Sequence, residues 1–590
     1  MSALQIAREY LLAQRNSKGH WEGELSSSAL STATAVCALA LVSRELGVSS
    51  FDSLIEKGLR WLEAAQNPDG GWGDTPLSLS NISTTALGWA VFGVVPGADQ
   101  RFSATVAMAS RWLEIGAGGL EPKVLARAII ARYGKDRTFS VPILTMCALA
   151  GRLGPEPEAW QEVIPLPFEI AALPHQWFAA VKMPVVSYAL PALIAIGQVH
   201  HHRAPSRWWV VRRMRSALCA RTLKVLESIQ PSSGGFLEAT PLTSFVLMSL
   251  AGCGLARHQS ATRCVDFLVR SVRADGSWAI DSNLSTWVTT LSIKALGESV
   301  VKRLPEDEQK ALRAWLIGQQ YREIHPYTHA APGGWAWTDL PGGVPDADDT
   351  AGALLALGEL GAEDGEILHA AEQGVRWLLG LQNRDGGIPT FCRGWGHLSF
   401  DQSSPDITAH TLRAWETWDQ RMPTELQIRL GKARERAVRF LAKTQRTDGS
   451  WVPLWFGNQH DPADENPVYG TANVVRSLGS SIMDARDRGL AFLKGIQRSD
   501  GSWGADGNSS VEETALALAS LADFGDRSRL ELELGSRWLE RAVNEGRWIQ
   551  PAPIGFYFAK LWYYERLYPV IFSVDALTRV ERWQKNGKKL

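Results

Sequence analysis

A repeated unit constrains the fold of this 590-residue chain more than any other feature. Each copy has a helical stretch with an aromatic residue followed by Leu, a Gln four residues after that Leu, and a turn ending in Gly-x-Trp. The clearest copy runs from Trp61-Leu62 through Gln66 to Gly71-Trp72. The aromatic–Leu pair anchors the helix by its apolar face, and an Asp-Gly or Ser-Gly step ends it in a tight turn. We therefore predict that each Gln reaches backbone groups of the next unit.

Nine such units are spread along the chain, alternating with apolar helices such as 31–42, 84–94 and 408–418. Repeat helices outside and apolar helices inside are typical of an α/α barrel. Copies at both ends, flanking a divergent middle at 96–202, predict two barrels. Other copies pair Gln14 with Trp21, Gln445 with Trp451, Gln497 with Trp503 and, across a long insertion, Gln320 with Trp335; degenerate copies carry Phe236 or Ile388 for the Trp and Val272 or Val543 for the Gln.

Three carboxylates, Asp346, Asp348 and Asp349, fall within four residues just after the aromatic stretch Trp335-Ala336-Trp337. Crowded carboxylates cannot all ionise cheaply, so at least one should keep its proton well above the usual pKa. A carboxylic acid that stays protonated in an aromatic site is a Brønsted acid. The motif therefore predicts a proton donor.

Composition excludes some classes of function. The chain has 61 Lys and Arg against 62 Asp and Glu, which gives no support to a nucleic-acid partner. The six cysteines form no C-x-x-C pair, which predicts buried thiols in a reducing, cytoplasmic compartment and no metal site.

The first ten residues have no apolar signal core, and no clean run of about 18–20 apolar residues predicts a membrane span. The segment 207–215 mixes tryptophan with arginine, which suits either a membrane interface or an amphipathic helix packed on its own domain.

The repeats, the motif Asp346-x-Asp348-Asp349 and the downstream segment from Asp406 to His410 together resemble the squalene–hopene cyclases, which are class II terpene cyclases. The resemblance covers nearly the whole chain and is clearest over about 275–570. It implies an all-α fold of two α/α barrels, one inserted into the other, with a cavity between them. It places the catalytic barrel at 1–21 plus 281–590 and the inserted barrel at 22–280.

The resemblance also implies roles for the acidic residues. Asp348 stands at the position of the general acid, and Asp346 and Asp349 flank it. His410 stands where the family has a histidine that hydrogen-bonds the acid. Asp406 is open to two interpretations, an orienting partner of His410 or a helix cap.

Aromatic side chains that line the cavity are implied in the same way. Their faces would stabilise a carbocation by about 0.5–2 kcal/mol each without quenching it, and no metal or other cofactor is needed. For each of them, packing in the core is the alternative. The implied lining positions are Trp337, Trp287, Tyr188 (where the family has Trp), Trp455, Tyr469, Tyr564, Phe556 or Tyr557, and Phe391 with Cys392 at the wall or the entrance constriction.

The chain departs from the family at the far end of the implied cavity. Thr32, Thr34 and Leu87 stand where the family carries glutamates that act when the final cation is quenched. Their loss leaves the acid chemistry intact but puts substrate length and termination in doubt. The segment 458–467 is an insertion, and a lid is one interpretation of it.

The sequence therefore predicts a cofactor-free cyclase in which Asp348 protonates a terminal alkene of squalene, or of a related polyprene, and starts polycyclisation to a hopene-like product. Its partners would be a small polyprene and a membrane surface, and a homodimer is left open. Alternatives are a cyclase of a diterpenyl diphosphate or a prenylated aromatic, a zinc-dependent prenyltransferase barrel, and a non-catalytic lipid-binding barrel.

Overall fold

Helices make up most of the fold. The computed structural model describes residues 1–134, 136–180, 186–297, 301, 303–361, 364–478, 482–524, 529–556, 558 and 560–587. The α-helices in this part of the chain are Ala3–Ala13, Ala29–Leu46, Asp52–Ala64, Ile82–Val94, Ala98–Arg101, Ser103–Ala117, Pro122–Tyr133, Ser140–Leu149, His175–Ala180, Val186–Arg203, Trp209–Ile229, Thr240–Gly252, Gln259–Ser271, Ser285–Leu296, Glu306–Gly318, Ala347–Gly361, Gly365–Leu381, Pro405–Trp418, Thr424–Thr444, Pro467–Val475, Met483–Gly495, Val511–Asp523, Arg529–Asn544 and Tyr568–Gly587.

Short elements complete the description. Three antiparallel pairs of two or three residues a strand join Ser27–Ser28 with Trp278–Ala279, Gly504–Ala505 with Asn508–Ser509, and Ile554–Phe556 with Leu561–Tyr563. Single 3-10 turns lie at Glu158–Gln161, Phe168–Ala172, Phe236–Glu238, Asp419–Arg421 and Arg547–Ile549.

Two closed rings of inner helices organise the molecule. In each ring every helix packs against the next and the last packs against the first. The N-terminal ring contains Ala29–Leu46, Ile82–Val94, Ser140–Leu149, Val186–Arg203 and Thr240–Gly252. The C-terminal ring contains Ser285–Leu296, Ala347–Gly361, Pro405–Trp418, Pro467–Val475, Val511–Asp523 and Tyr568–Gly587. The predicted all-α architecture of two α/α barrels is confirmed.

Burial follows the sequence pattern of each helix. The inner helix Ile82–Val94 is apolar on nearly all sides and is buried along almost its whole length. The outer helix Asp52–Ala64 buries only Ile55, Gly58, Leu59 and Leu62, which form one stripe at helical spacing. The alternation of the two kinds of helix in the chain therefore builds a wall of two layers around each ring.

The Gln of the repeat bridges two consecutive units, as its spacing predicts. Gln66 donates from Nε2 to the carbonyl of Gly70 in its own turn and to that of Thr105 in the next outer helix. Five more copies repeat both bonds, all between 2.8 and 3.1 Å, at Gln230, Gln320, Gln382, Gln445 and Gln497. In these six copies the outer helix is thereby tied to its successor through buried or half-buried bonds.

The Trp of the repeat holds its turn onto two helices. The indole of Trp72 donates to the carbonyl of Leu62, the Leu of its own repeat, and its backbone N–H donates to the hydroxyl of Thr85 on the next inner helix. Trp21, Trp278, Trp335, Trp451 and Trp503 make the same indole bond, at 2.7–2.8 Å. The backbone bond to a threonine persists where Phe236 or Ile388 replaces the Trp.

Two hydrophobic cores fill the molecule. One combines residues of 3–25 with residues of 279–580, and the other combines residues of 29–278 with Tyr327, Val344, Phe391 and Cys392. The limits of the predicted domains, 1–21 plus 281–590 and 22–280, stay a prediction. Phe391 and Cys392 belong to the C-terminal part of the chain but pack into the core of the N-terminal part.

The insertion 458–467 bridges the N- and C-terminal parts of the chain. Gln459 exchanges hydrogen bonds with the backbone of Leu77 and Leu79, and Asp464 forms ion pairs with Arg132 and Lys560. These contacts connect the insertion to both parts of the chain.

Among the described residues, one helix, Ala29–Leu46, is long and apolar enough to cross a bilayer by length and composition, yet 78% of that stretch is buried inside the protein. It is a member of the N-terminal ring, and its apolar character is that of a core helix.

Candidate active site

The first turn of the helix Ala347–Gly361 fixes the acidic motif. Asp346 precedes the helix, and its Oδ1 accepts a hydrogen bond of 2.9 Å from the backbone N–H of Asp349. Its carbonyl accepts from the hydroxyl of Thr350, and that hydroxyl oxygen accepts from the backbone N–H of Trp335 at 3.0 Å. The repeat turn and the helix cap thus share one threonine, which sets the position of the carboxyl groups.

Asp348 heads a chain of three side chains from three inner helices. Its Oδ1 lies 2.6 Å from Nδ1 of His410 on Pro405–Trp418. Nε2 of His410 lies 2.8 Å from Nζ of Lys294 on Ser285–Leu296, a residue 116 positions away in the sequence. The contact of His410 with Asp348 is the one that the resemblance implied, whereas Lys294 was not predicted.

Burial makes the acidic cluster difficult to ionise. It raises the pKa of both Asp346 and Asp348 to about 7, and for Asp348 the charge of Lys294 opposes the rise. Burial, together with the neighbouring charge of Asp346, holds the pKa of Asp349 well above its ordinary value. At least one carboxyl group of the cluster therefore carries a proton at neutral pH.

The two bases beside the acid are also perturbed by burial. It lowers the pKa of His410 well below its usual value, and Lys294 and Arg413 add to the effect. It lowers the pKa of Lys294 to about 7, again with a contribution from Arg413. His410 is therefore a neutral imidazole, and Lys294 exchanges its proton near neutrality.

Asp406 occupies the same place in its helix as Asp348 does in its own. Ser404 precedes the helix Pro405–Trp418, and its hydroxyl donates to Oδ1 of Asp406. Burial and the charge of Asp348 raise the pKa of Asp406 to about 7. In the described part of the chain Asp406 makes no hydrogen bond to His410, so its observed contact is with Ser404 in the first turn.

A cavity that is partly open to solvent lies beside the acid. It is lined by Asp348, Asp406 and His410 together with apolar side chains such as Leu291 and Ile571. Four cationic side chains also line it: Lys294, Arg413, Arg476 and Arg579. In the described residues no group of three or more His, Cys, Asp or Glu side chains is arranged to hold a metal ion.

Aromatic rings form a continuous belt that reaches the acid. Phe391 contacts Tyr188 at 5.0 Å, Trp337 at 6.4 Å and Trp455 at 5.8 Å between ring centroids, and Trp455 contacts Phe556 at 4.7 Å. The aromatic belt comprises Tyr188, Trp337, Phe391, Phe400, Trp455, Phe556, Phe558, Tyr563 and Tyr568.

Trp287 joins this belt to the acid. Its indole donates to the hydroxyl of Tyr568 at 3.0 Å, and its ring lies 6.1 Å from that of His410. Tyr469 lines the same cavity as Asp348 and packs on Phe456. The predicted aromatics are therefore brought together around one end of the acid site.

Other predicted residues lie elsewhere. Tyr564 is half-buried, and its backbone N–H donates to the hydroxyl of Ser26 away from the ring contacts of the belt. Cys392 is buried next to Phe391, and Tyr557 lies outside the described residues. The belt members that the sequence did not single out are Phe400, Phe558, Tyr563 and Tyr568.

Thr32, Thr34 and Leu87 are fully buried. The hydroxyl of Thr32 donates to the carbonyl of Ser28 and accepts from the backbone N–H of Trp278, and that of Thr34 donates to the carbonyl of Ser31. Thr32 therefore joins the first turn of its helix to the repeat turn at Trp278, whereas Thr34 uses its hydroxyl within its own helix.

The paired rings and the half-buried acid beside aromatic rings define a class II terpene cyclase. The chain belongs to the squalene–hopene cyclase family: the model of the C-terminal domain of squalene–hopene cyclases matches residues 283–582, and that of the N-terminal domain matches residues 4–146.

Individual relatives are distant. The squalene–hopene cyclase of Alicyclobacillus acidocaldarius is 25% identical over 98% of this chain and 97% of that protein. The enfumafungin synthase of Hormonema carpetanum is 26% identical over 95% of this chain, and the chain spans 46% of its length. A terpene cyclase–glycosyl transferase fusion protein of Humicola fuscoatra is 24% identical, and the chain spans 49% of it. The chain thus spans about half the length of the enfumafungin synthase and of the fusion protein, and nearly all of the squalene–hopene cyclase.

Among solved structures, an ent-copalyl diphosphate synthase from Streptomyces platensis superposes with a TM-score of 0.59 over 99% of both chains. The two sequences are 17% identical, so the likeness concerns the fold.

Proposed function

We propose that the chain is a cofactor-free cyclase that protonates a terminal alkene of squalene, or of a related polyprene, and guides the cation to a hopene-like polycycle. The observation that carries this proposal is the half-buried Asp348, with a pKa raised to about 7, held by His410 at 2.6 Å beside an aromatic belt. The family named in the comparisons includes squalene–hopene cyclases at full length, which supports squalene as the substrate class.

The proposed reaction begins with proton transfer from Asp348. The alkene electron pair forms a bond from the less substituted carbon to the proton, which leaves a tertiary cation and an aspartate anion. Each following double bond attacks the cation and moves the charge along the chain. Ring faces of the belt stabilise this charge without donating a lone pair, so the cation survives until it loses a proton or meets water.

A diterpenyl diphosphate is the alternative substrate. Its terminal alkene and its diphosphate lie at opposite ends of the molecule, whereas the cavity lined by Lys294, Arg413, Arg476 and Arg579 lies at the acid end. Arg476 and Arg579 are already paired with Asp523 and Asp575. These positions favour a hydrocarbon tail without a charged head group.

The purified protein should be incubated separately with squalene, geranylgeranyl diphosphate and a geranylgeranylated phenol, with products identified by mass spectrometry. We expect cyclised hydrocarbon from squalene alone. Because Thr32, Thr34 and Leu87 replace glutamates, the main products should arise by deprotonation or from an earlier cation. A pentacyclic alcohol as the main product would show that termination does not depend on those positions, and cyclisation of the diphosphate alone would replace squalene with the alternative.

We also propose that the enzyme takes its substrate from a membrane surface. Trp208 and Trp209 are 77% and 67% exposed at the start of the helix Trp209–Ile229, and Trp177 is 61% exposed. Arg215 of this helix pairs with Glu169 of Phe168–Ala172, which brings the two segments together. Exposed tryptophans beside arginines are typical of a membrane interface.

Flotation with anionic vesicles tests this second proposal. The double variant Trp208→Ser/Trp209→Ser should lose vesicle binding while keeping its thermal stability. Leu530→Ser is the matched control, since Leu530 is 63% exposed on the helix Arg529–Asn544 of the C-terminal part. Equal binding by the double variant and the wild-type protein would contradict the proposal.

A further inference from the structure

The proposed function leaves one requirement unmet, because each turnover converts Asp348 to its anion. Asp348 must regain a proton before the next substrate reacts. Its hydrogen-bond partner is His410, and Nε2 of that ring lies 2.8 Å from Nζ of Lys294. The aromatic belt offers no proton donor of comparable acidity on the substrate side.

We propose that Lys294 reprotonates Asp348 through His410 and is itself reprotonated by water in the charged cavity. This inference rests on the proposed function, because it assigns the proton supply of that same acid. Lys294 is a positioning and relay residue: it acts through His410 and does not touch the substrate.

The atoms of the relay balance over one cycle. Asp348 gives its proton to the alkene and becomes an anion that accepts from Nδ1–H of His410. Nζ of Lys294 then gives a proton to Nε2 of His410 while Nδ1 gives its proton to Oδ1 of Asp348. Lys294 is left as a neutral amine and takes a proton from water in the cavity. His410 is left with its proton on Nε2, and it regains the Nδ1–H tautomer when Nε2 releases that proton to cavity water and Nδ1 takes one up. The final carbocation returns one proton to water when the product forms.

The position of Lys294 in its helix supports this role. It lies half-buried in the last turn of Ser285–Leu296, an inner helix otherwise made of apolar and hydroxyl side chains, where a lone charge is costly to desolvate. Burial and Arg413 lower its pKa to about 7, so the amine can release and regain a proton at neutral pH. His410 stays neutral because its own pKa is lowered, and it therefore passes a proton on instead of storing it.

Charged groups from every neighbouring helix surround Lys294. Ala347–Gly361 contributes Asp348 and Glu359, and Pro405–Trp418 contributes Asp406, His410 and Arg413. The remaining wall contributes Tyr469, Arg476, Asp575 and Arg579. Since Arg476 and Arg579 both pair with Asp523 and Asp575, the charges of that wall largely cancel.

The test separates the first turnover from the following ones. With enzyme in excess over squalene, the reaction needs only an Asp348 that is already protonated, whereas steady-state turnover needs the relay. For Lys294→Met we expect a single-turnover rate within about threefold of wild type and a kcat lowered by about 10–100-fold, at the lower end of general acid–base effects. An equal loss in both rates would make Lys294 merely structural, and an unchanged kcat would show that it is dispensable; either result overturns the proposal.

Two further variants sharpen the result. Lys294→Arg keeps the positive charge but holds its proton too tightly to release it, so kcat should stay low; restored kcat would show that only charge matters and would overturn the relay. Glu359→Gln is the matched control, since Glu359 lines the same cavity and its charge is not among those that shift the pKa of Lys294 or of His410. It should leave the ratio of the single-turnover rate to kcat unchanged within about twofold.

Nitrogen-15 NMR of histidine-labelled protein tests the relay without turnover. The Nε2 signal of His410, assigned by its loss in His410→Gln, should shift between about pH 6 and pH 8 in the wild-type protein as Lys294 titrates. The shift should be clearly smaller in Lys294→Met, where Asp348 is the group beside the ring that still titrates in this range. Identical titrations in the two proteins would overturn the relay, whereas failure of the wild-type protein to convert any polyprene would contradict the proposed function alone.

Discussion

Two inner helices begin with the same turn and carry different chemistry. In Ala347–Gly361 the cap is Asp346, the N–H three residues on donates to its side chain, and Thr350 joins the cap carbonyl to a repeat Trp. In Ala29–Leu46 the cap is Ser28, the N–H of Ser31 donates to its hydroxyl, and Thr32 makes the same two bonds to the cap and to Trp278.

The positions between cap and threonine are those that differ. Asp348 and Asp349 in the C-terminal ring correspond to Leu30 and Ser31 in the N-terminal ring. Pro405–Trp418 and Val511–Asp523 also carry carboxylates there, Asp406 and Glu512, and burial raises the pKa of Glu512 to about 8. The repeat therefore supplies the same capped first turn to several inner helices. Catalysis depends on which residue occupies the second position of that turn and on which side chains face it.

The largest expected effect comes from replacing the acid in the first turn of Ala347–Gly361. Asp348→Asn keeps the volume but loses the proton donor, so turnover should fall below detection, a loss of at least about 10⁴-fold. Product formation from squalene measures it, and circular dichroism checks the fold. Ser31→Ala, in the equivalent turn of the N-terminal ring, should leave the rate within about twofold; activity near wild type in Asp348→Asn would end the assignment of the acid.

Removing the partner of the acid should have the next largest effect. His410→Ala should lower kcat by about 10²–10⁴-fold, because the imidazole orients Asp348 and links it to Lys294. His410→Asn, which offers an amide donor to Asp348, should retain more activity than the alanine variant. Equal rates in the two variants would show that a hydrogen bond to Asp348 does not matter.

The pH dependence should follow the protonated acid. With the pKa of Asp348 raised to about 7, the reactive form is fully populated below that value and declines above it. The logarithm of kcat/KM should therefore be flat in mild acid and fall by about one per pH unit above neutrality. The apparent value belongs to the coupled Asp348, His410 and Lys294. A rate that rises through this range would point to a base instead of an acid.

The smallest expected effect distinguishes the structural role of the capped turn from its role in positioning the acid. Thr350→Val and Thr32→Val each leave the buried backbone N–H of a Trp without its acceptor, so both should lower the free energy of unfolding by about 1–3 kcal/mol. Only Thr350→Val should also lower kcat, because it loosens the turn that holds Asp348. Denaturant unfolding and steady-state kinetics on both variants test this, and equal kinetic losses would contradict the division of roles.

The repeats and the acidic motif could be predicted because their chemistry is local. Gln66 and Trp72 lie within one unit, so their spacing already contains the turn that they stabilise. Asp348 was found as a member of a crowded cluster. Lys294 could not be found, because a lone lysine in an apolar helix shows its partner only when helices 116 residues apart come together. Its isolation among apolar and hydroxyl residues was the one available signal.

The aromatic positions were predicted in part for a related reason. Trp287 and Trp337 lie in or next to regular repeat elements, where the positions of this sequence correspond clearly to those of the family. Phe400, Phe558 and Tyr563 come from loops and a short hairpin, where the chain path decides which ring turns inward. Tyr564, one residue after Tyr563, faces away because successive residues of an extended strand point to opposite sides.

Closure of the C-terminal ring has a consequence for how the protein matures. The helix Tyr568–Gly587 packs against Ser285–Leu296, against Val511–Asp523 and against Ala3–Ala13. During synthesis on the ribosome, the segments that carry Lys294, Asp348 and His410 all emerge before the element that closes their ring. The N-terminal ring, with helices between 29 and 252, can close much earlier. The nascent chain therefore holds an incomplete ring with apolar inner faces until the helix Tyr568–Gly587 has been made, and this interval is when it most needs protection from aggregation.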